Sequence, residues 1–189
     1  GQTMNPSTKD LLQAVESVPS EKVIILPNNK NIIMAAEQAA ELANKKVRVV
    51  RTNTVPQGIA ALLALNYQAD LESNSHIMSE AASAIQTAEI TTAVRSVQIN
   101  GVQVEEGEVI GLVNGKLEAK GDSPEEVTLA ALQKMQAADS EIITIYYGES
   151  VAADTAQELA ATIERVFPEQ EVEVVGGGQR HYDYILSAE

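Results

Sequence analysis

Hydrophobic and polar positions along the chain alternate between strand spacing and helical spacing, which predicts an α/β protein. Residues 23–26 form a short run of β-branched and aliphatic side chains, and residues 47–50 form a second, mostly apolar run. Such runs are typical of strands in a buried parallel sheet. Apolar residues between and after them recur every three or four positions, as in amphipathic helices. We therefore predict a strand, helix, strand, helix unit over residues 23–65.

The spacing changes after a helix that is predicted over residues 74–88. Four short strands are then predicted at residues 91–99, 102–104, 109–113 and 116–119. Asn100-Gly101 and Asn114-Gly115 lie between strands of this segment, and Asn-Gly is the strongest short hairpin signal. A small antiparallel meander is therefore expected. Strand, helix, strand and strand patterns follow at residues 142–146, 152–167, 172–175 and 182–187.

The order of strand, polar turn, helix and strand recurs in both halves of the chain. We predict two related α/β subdomains, residues 1–88 and 89–189, with mostly parallel sheets, flanking helices and the meander in the second subdomain. The helix over residues 152–167 should face the second core with Ala156, Leu159, Ala160, Ile163 and Phe167.

Composition limits the classes of function. Only 3% of the residues are aromatic although 44% are apolar, so the core must consist of Ala, Val, Ile and Leu. The formal net charge of -14 argues against nucleic-acid binding, because phosphate backbones are bound mainly by Lys and Arg. The absence of cysteine excludes disulfides, thiolate zinc sites and a cysteine nucleophile. No apolar run approaches the roughly 20 residues of a transmembrane segment, and we expect a cytoplasmic protein.

The polar turns that end the predicted strands hold the candidate site. Asn, Thr and Gly are frequent in turns for backbone reasons alone, but these turns carry more side-chain amides and hydroxyls than turn geometry requires. In open α/β sheets, ligands meet the protein at the carboxyl ends of strands. The predicted partner- or ligand-binding residues are Asn28, Asn29, Lys30, Asn31, Thr52, Thr54, Gln57, Gly178, Gln179 and His181. Asn31 is also a candidate cap for the helix after it.

Three other motifs suggest chemistry, and each has a simpler interpretation. Residues 148–152 lie at a strand-to-helix junction, as in a hydrolase nucleophile elbow, and His181 is available as a base. The simpler interpretation is that Ser150 caps the helix. Residues 176–178 lack the following helix that a dinucleotide fingerprint needs, and the two histidines have no partners at metal-ligand spacing. We therefore predict no catalytic residue, no metal site and no cofactor in this chain.

Five segments of the sequence carry a resemblance to a known family. Residues 1–7, 26–31, 54–58, 90–95 and 177–182 read GQTMNPS, LPNNKN, TVPQG, ITTAVR and GGQRHY. In combination they resemble the C-terminal domain of the bacterial dihydroxyacetone-kinase-like fatty acid kinase subunit. The resemblance covers essentially the whole chain.

The resemblance implies a fragment of a three-part enzyme with a DegV-like fold. In that family an N-terminal kinase domain binds ATP and magnesium, a middle domain follows, and the C-terminal domain engages a DegV-type fatty-acid-binding protein. The complex phosphorylates the bound acyl carboxylate to an acyl phosphate for phospholipid synthesis. The kinase and middle domains are then expected partners within the same parent protein.

Three hypotheses follow for the function of this chain. The leading one is a non-catalytic domain that docks the DegV-type fatty-acid-binding protein. The second is a domain that itself binds a lipid or a small carboxylate. The third is a hydrolase that depends on Ser150.

Overall fold

The computed structural model describes residues 5–99 and 101–189, which form two compact units that divide between Ile85 and Gln86. We call them unit 1 and unit 2. Residues 1–4 and Asn100, which entered the sequence patterns above, lie outside the described residues.

Unit 1 is a set of helices around one parallel pair of strands, as the sequence predicts. Its elements are α1 (Thr8–Ser17), β1 (Lys22–Ile25), α2 (Ile33–Leu42), β2 (Lys46–Val49), α3 (Val55–Leu63) and α4 (Leu71–Ala84). β1 and β2 pair in parallel, with Val23 opposite Val47. The predicted strand, helix, strand, helix unit is confirmed.

Local signals decide where the helices of unit 1 begin. Thr54 caps α3 by accepting a hydrogen bond from the backbone N–H of Gln57, and Pro56 lies in the first turn, where its missing N–H costs nothing. Asp70 caps α4 in the same way. The expected cap by Asn31 is wrong, because α2 begins one residue later, after Ile32, with no side-chain cap.

The central cluster of unit 1 is small. Val50, Ala61, Met78 and Ala82 are buried in it, and half-buried aliphatic side chains of β1 and of the chain after α3 pack around them. The buried residues of α2 and α3 are small, so each helix buries little apolar area: they are Ala36, Ala39, Pro56, Gly58 and Ala61. Much of the aliphatic surface of unit 1 therefore remains in contact with solvent.

Unit 2 is built on a six-stranded sheet with the strand order β7-β6-β3-β10-β8-β9. The strands are β3 (Gln86–Thr92), β6 (Val109–Val113), β7 (Lys116–Gly121), β8 (Ile142–Tyr147), β9 (Glu171–Gly176) and β10 (Tyr184–Ala188). β4 (Val97–Ile99) and β5 (Val102–Val104) form a separate antiparallel pair. The helical elements are α5 (Pro124–Lys134), a short 3-10 helix (Ala137–Asp139) and α6 (Ala153–Val166).

The expectation of mostly parallel sheets is wrong for unit 2, whose large sheet is mixed. Only β8 and β9, joined by α6, pair in parallel; the other neighbours are antiparallel. Short turns can join only antiparallel neighbours, and β10 enters antiparallel between β3 and β8. Both units nevertheless contain a strand, helix, parallel strand unit, which is the repeat that the sequence shows.

Two predicted boundaries also change. The helix expected over residues 74–88 ends at Ala84, and the last three of those residues begin β3. The strand expected over residues 91–99 is divided into β3 and β4. The hairpin at Asn114-Gly115 is confirmed, because both residues have positive φ and join β6 to β7.

The core of unit 2 is one large cluster of buried side chains, with a smaller cluster beside β4 and β5. The apolar stripe predicted for α6 is buried along its whole length, from Ala156 to Phe167. Ile143, Ile145 and Leu186 from the central strands have no exposed surface. This core places the polar turns that follow β8 and β9 on a rigid support.

Candidate functional site

The two polar turns of unit 1 are joined by one buried threonine. The hydroxyl of Thr52 donates to Oδ1 of Asn28 over 2.8 Å and accepts the backbone N–H of Asn28 over 3.0 Å. Thr52 is 0% exposed, so the two hydrogen bonds form away from water. We call this contact the Asn28–Thr52 pair.

The Asn28–Thr52 pair also contacts the start of α3. Asn28 has a φ of 54°, a left-handed conformation that asparagine tolerates better than most residues. Its side chain lies against Gly58, where an added Cβ would be 2.0 Å from Oδ1 of Asn28. The glycine is therefore required for close approach of the turn after β1 to α3.

Thr54 and Gln57 serve the helix rather than an open site. Thr54 caps α3, and Oε1 of Gln57 accepts the backbone N–H of Asn53 over 2.8 Å. The bond to Thr54 satisfies an N–H group that the first turn of a helix leaves without a partner, and the bond to Gln57 holds the residue before the cap. The two side chains thus fix the orientation of α3.

The remaining predicted residues of unit 1 lie at the tip of the first turn. Oδ1 of Asn29 accepts the backbone N–H of Asn31 over 2.9 Å. Lys30 and Asn31 are exposed. Of the seven candidates in unit 1, four come together around the start of α3 and three form this tip.

The candidates of unit 2 hold the turn after β9. Nε2 of Gln179 donates to the backbone carbonyl of Tyr146 over 2.7 Å. The backbone carbonyl of Gln179 accepts the backbone N–H of Glu149 over 3.0 Å. Gly178 has a φ of 65°, which favours glycine. His181 is exposed, and its backbone carbonyl accepts the hydroxyl of Thr91. Gln179 thus ties this turn to the end of β8.

Ser150 lacks the partner that a nucleophile needs. Its hydroxyl donates to Oδ1 of Asp183 over 3.1 Å, and the other carboxylate oxygen accepts the hydroxyl of Thr92 over 3.3 Å. Among the described residues no imidazole bonds to Ser150, whereas an activated serine requires a base within hydrogen-bond reach. The capping interpretation is also wrong, since the cap position of α6 is Ala152.

Sequence reasoning missed an apolar cavity in unit 1. It has a volume of about 330 Å³ and lies between β1, α3 and α4. Its apolar lining comes from Ile24, Leu26, Leu62, Leu65, Leu71 and Met78. The apolar run of residues 23–26 was visible in the sequence, but the gap beside Ile24 and Leu26 depends on how the helices pack.

A second depression, of about 470 Å³, shares Lys22 and Leu71 with the apolar cavity. Its charged lining residues are Lys22, Lys45, Lys46, Arg48, Asp70 and Glu72. The backbone N–H of Ser73 holds the pKa of Asp70 below its ordinary value. The hydrogen bond from Arg48 to Glu72 raises the pKa of Arg48. The depression thus combines four cations with two carboxylates in a strongly acidic chain.

Two kinds of feature are absent from residues 5–99 and 101–189. In these ranges no group of three or more His, Asp or Glu side chains is arranged to hold a metal ion. None of the helices there has the length and apolarity needed to cross a membrane.

Comparison with known sequences identifies relatives over the whole chain. The family model for the C-terminal part of FakA-like fatty acid kinase proteins matches residues 1–189. Protein YloV of Bacillus subtilis is 41% identical over 100% of this chain and 34% of its own length. An uncharacterized protein of Staphylococcus haemolyticus is 39% identical over the same shares.

Comparison with solved structures identifies the fold. The fatty acid kinase (Fak) B3 protein of Streptococcus pneumoniae, loaded with linoleic acid, matches with a TM-score of 0.67 and 12% identity, over 97% of this chain and 76% of that one. A DegV family protein of Corynebacterium glutamicum matches with a TM-score of 0.69 and 17% identity, over 97% and 81%. The predicted DegV-like α/β fold is confirmed.

Proposed function

Because this chain belongs to the FakA-like C-terminal family of fatty acid kinase proteins, we propose that it is a non-catalytic domain that docks a DegV-type fatty-acid-binding protein. The chain spans about a third of the length of the curated relatives it matches, 34% in YloV. We assign ATP, Mg²⁺ and phosphorylation of the acyl carboxylate to the remainder of the parent protein, in the cytoplasm.

One observation carries the docking proposal: α3 presents an apolar face to solvent. Val55, Ile59, Leu62 and Leu63 recur at helical spacing and are all exposed, Leu63 to 82%. Tyr67 follows the helix and is 90% exposed. Several large apolar side chains exposed on one face of a helix are typical of an interaction surface. Tyrosine is enriched among the residues that contribute most to the free energy of binding.

The polar turns support this surface in our proposal. The Asn28–Thr52 pair and the cap by Thr54 hold the start of α3 on the end of the sheet. Their side chains are therefore positioning residues for α3. Lys30 and Asn31, which are exposed beside them, are assigned to the rim of the same surface.

The docking proposal is tested by calorimetry with the DegV-type protein of the same organism. The double variant Leu63→Ser, Tyr67→Ser removes the two most exposed apolar groups and should weaken binding at least tenfold. Val94→Ser in unit 2, at 87% exposure, is the matched control and should leave binding unchanged. Equal affinities of the two variants, or a rise in melting temperature with ATP and Mg²⁺, would contradict the proposal.

A second candidate function is binding of a lipid or a small carboxylate by this chain itself. The apolar cavity of about 330 Å³ in unit 1 favours this candidate, since pockets that bind small molecules have volumes of about 300 Å³ or more. A fold shared with proteins described as loaded with fatty acids is consistent with this candidate. Native mass spectrometry of the purified chain should show a bound acyl species, and a wholly ligand-free spectrum after incubation with fatty acids would contradict it.

A further inference from the structure

The apolar cavity and the charged depression of unit 1 are adjacent, because one lysine lines both. Lys22 is the first residue of β1, and Ile24 and Leu26 follow it at alternate positions. Alternate residues of a strand project from the same face. A single molecule that extends along this face would therefore meet a cation at one end and aliphatic side chains beyond it.

The apolar part has surface left to cover. Ile24, Leu26 and Leu65 are only half-buried, and Leu62 is exposed. Met78, at the base of the cavity, is buried. Hydrocarbon placed here would remove apolar area from water on several sides, which is the dominant favourable contribution in binding of this kind. Asn74, the polar residue of the lining, already bonds the backbone around Asn66.

Two of the four cations in the charged depression are committed to structure. The ammonium of Lys45 donates to three backbone carbonyls at the end of α1. Arg48 donates to the carboxylate of Glu72 and to the carbonyl of Val47. All three ammonium N–H groups of Lys45 are therefore in use, and the charge of Arg48 is paired with that of Glu72.

Lys22 and Lys46 are the cations that remain. They are directly opposite each other in the parallel register of β1 and β2, on strands about 4.8 Å apart. The structure gives neither side chain a hydrogen bond or an ion pair within residues 5–99 and 101–189. Asp70 lines the same depression and interacts electrostatically with Lys22, but its carboxylate is held by the backbone N–H of Ser73. Two neighbouring like charges repel each other, and an anion between them removes this repulsion.

We propose that the cavity and the depression form one binding site for a single-chain anionic amphiphile. The hydrocarbon chain fills the apolar cavity, and the carboxylate or phosphate head group is bound by Lys22 and Lys46. This inference rests on the second candidate function, which it locates and makes specific; docking through α3 does not depend on it.

The head group and the chain are tested together by calorimetry of the 189-residue chain. Dodecanoate, dodecyl phosphate and dodecanol are titrated below their aggregation concentrations. We expect one dodecanoate or dodecyl phosphate per chain, with dodecanol at least tenfold weaker because it lacks the charge. The tighter of the two anions identifies the head group that the lysines prefer. Several equivalent sites per chain, or equal binding of dodecanol, would overturn the proposal.

Substitutions locate the site. Lys22→Met together with Lys46→Met keeps the side-chain length and removes both charges; it should weaken dodecanoate about tenfold and leave dodecanol unchanged. Ala69→Leu fills the cavity from its wall and should weaken all three ligands. Lys116→Met, an exposed lysine of unit 2, is the matched control. Circular dichroism verifies that each variant is folded.

The outcomes separate the site from the candidate function. If dodecanoate binds the Lys22 and Lys46 double variant with unchanged affinity, the chain binds amphiphiles elsewhere and this site is wrong. If none of the three ligands binds, both the site and lipid binding by this chain are wrong, and docking through α3 is unaffected.

Discussion

Unit 1 and unit 2 distribute their apolar side chains in opposite ways. In unit 2, α5 and α6 pack with the sheet over one large cluster of buried side chains, in which Ile145 and Leu186 are fully buried. In unit 1, α3 presents Leu62 and Leu63 to solvent, and a cavity remains beside β1. From this comparison we expect unit 2 to supply most of the stability of the chain, and unit 1 to supply the surfaces of the proposed docking and ligand binding.

The largest effect should come from truncating a core residue of unit 2. Ile145→Ala leaves a cavity in a closely packed core and should lower the free energy of unfolding by about 2–5 kcal/mol. Leu63→Ala, on the exposed face of α3, should change it by less than about 0.5 kcal/mol. Urea unfolding followed by circular dichroism measures both. Similar losses in the two variants would remove the contrast between the units.

A smaller effect should follow from crowding the close approach in unit 1. Gly58→Ala places a methyl group against Oδ1 of Asn28 and should lower the stability of unit 1 by about 1–3 kcal/mol. Asn28→Gly tolerates the left-handed φ and removes the obstructing group. The double variant should therefore regain part of the loss in a double-mutant cycle. Strict additivity of the two changes would show that the contact does not control the packing of α3.

Removing one helix cap from each unit should distinguish an effect on stability from an effect on docking. Thr54→Ala and Ser123→Ala each remove a cap hydrogen bond, and each should cost about 1 kcal/mol. Only Thr54→Ala alters α3, so only this variant should weaken docking in calorimetry. A weakening of docking by Ser123→Ala would place the interaction surface on unit 2 instead.

The smallest effect should be a pH dependence that arises from the cap of α4. The N–H of Ser73 holds the pKa of Asp70 below its ordinary value, so the ionised carboxylate stabilises the folded state above that value and the contribution is lost as pH falls below about 4. Asp70→Asn should lower the melting temperature at pH 6, and the difference should shrink steadily as the pH falls below about 4. A difference that stays constant down to the lowest pH at which the chain is folded would show that the charge is not the cause.

The features that the sequence predicted correctly are local. The β1–α2–β2 order follows from spacing within a short segment, the Asn114-Gly115 hairpin from the positive φ that both residues adopt, and the buried face of α6 from its period. In each case the residues that specify the structure are neighbours along the chain.

The features that the sequence did not predict depend on distant contacts. β10 pairs with both β3 and β8, and neither its own residues nor its turn indicates those neighbours. The candidate site changed for the same reason. Asn28, Thr52 and Thr54 were correctly placed at strand ends, but their roles depend on Gly58 and on the first turn of α3, which pattern reasoning cannot bring into contact.

The central place of β10 has a consequence for the synthesis of the protein. Unit 1 is complete in sequence before unit 2, and its strands can pair while translation continues. In unit 2, the β7-β6-β3 and β8-β9 groups are joined only through β10, which follows all of them in the chain. Until the ribosome releases β10, both groups expose an open strand edge that invites pairing with other chains. Nascent chains stalled before residue 184 should therefore depend most strongly on chaperones.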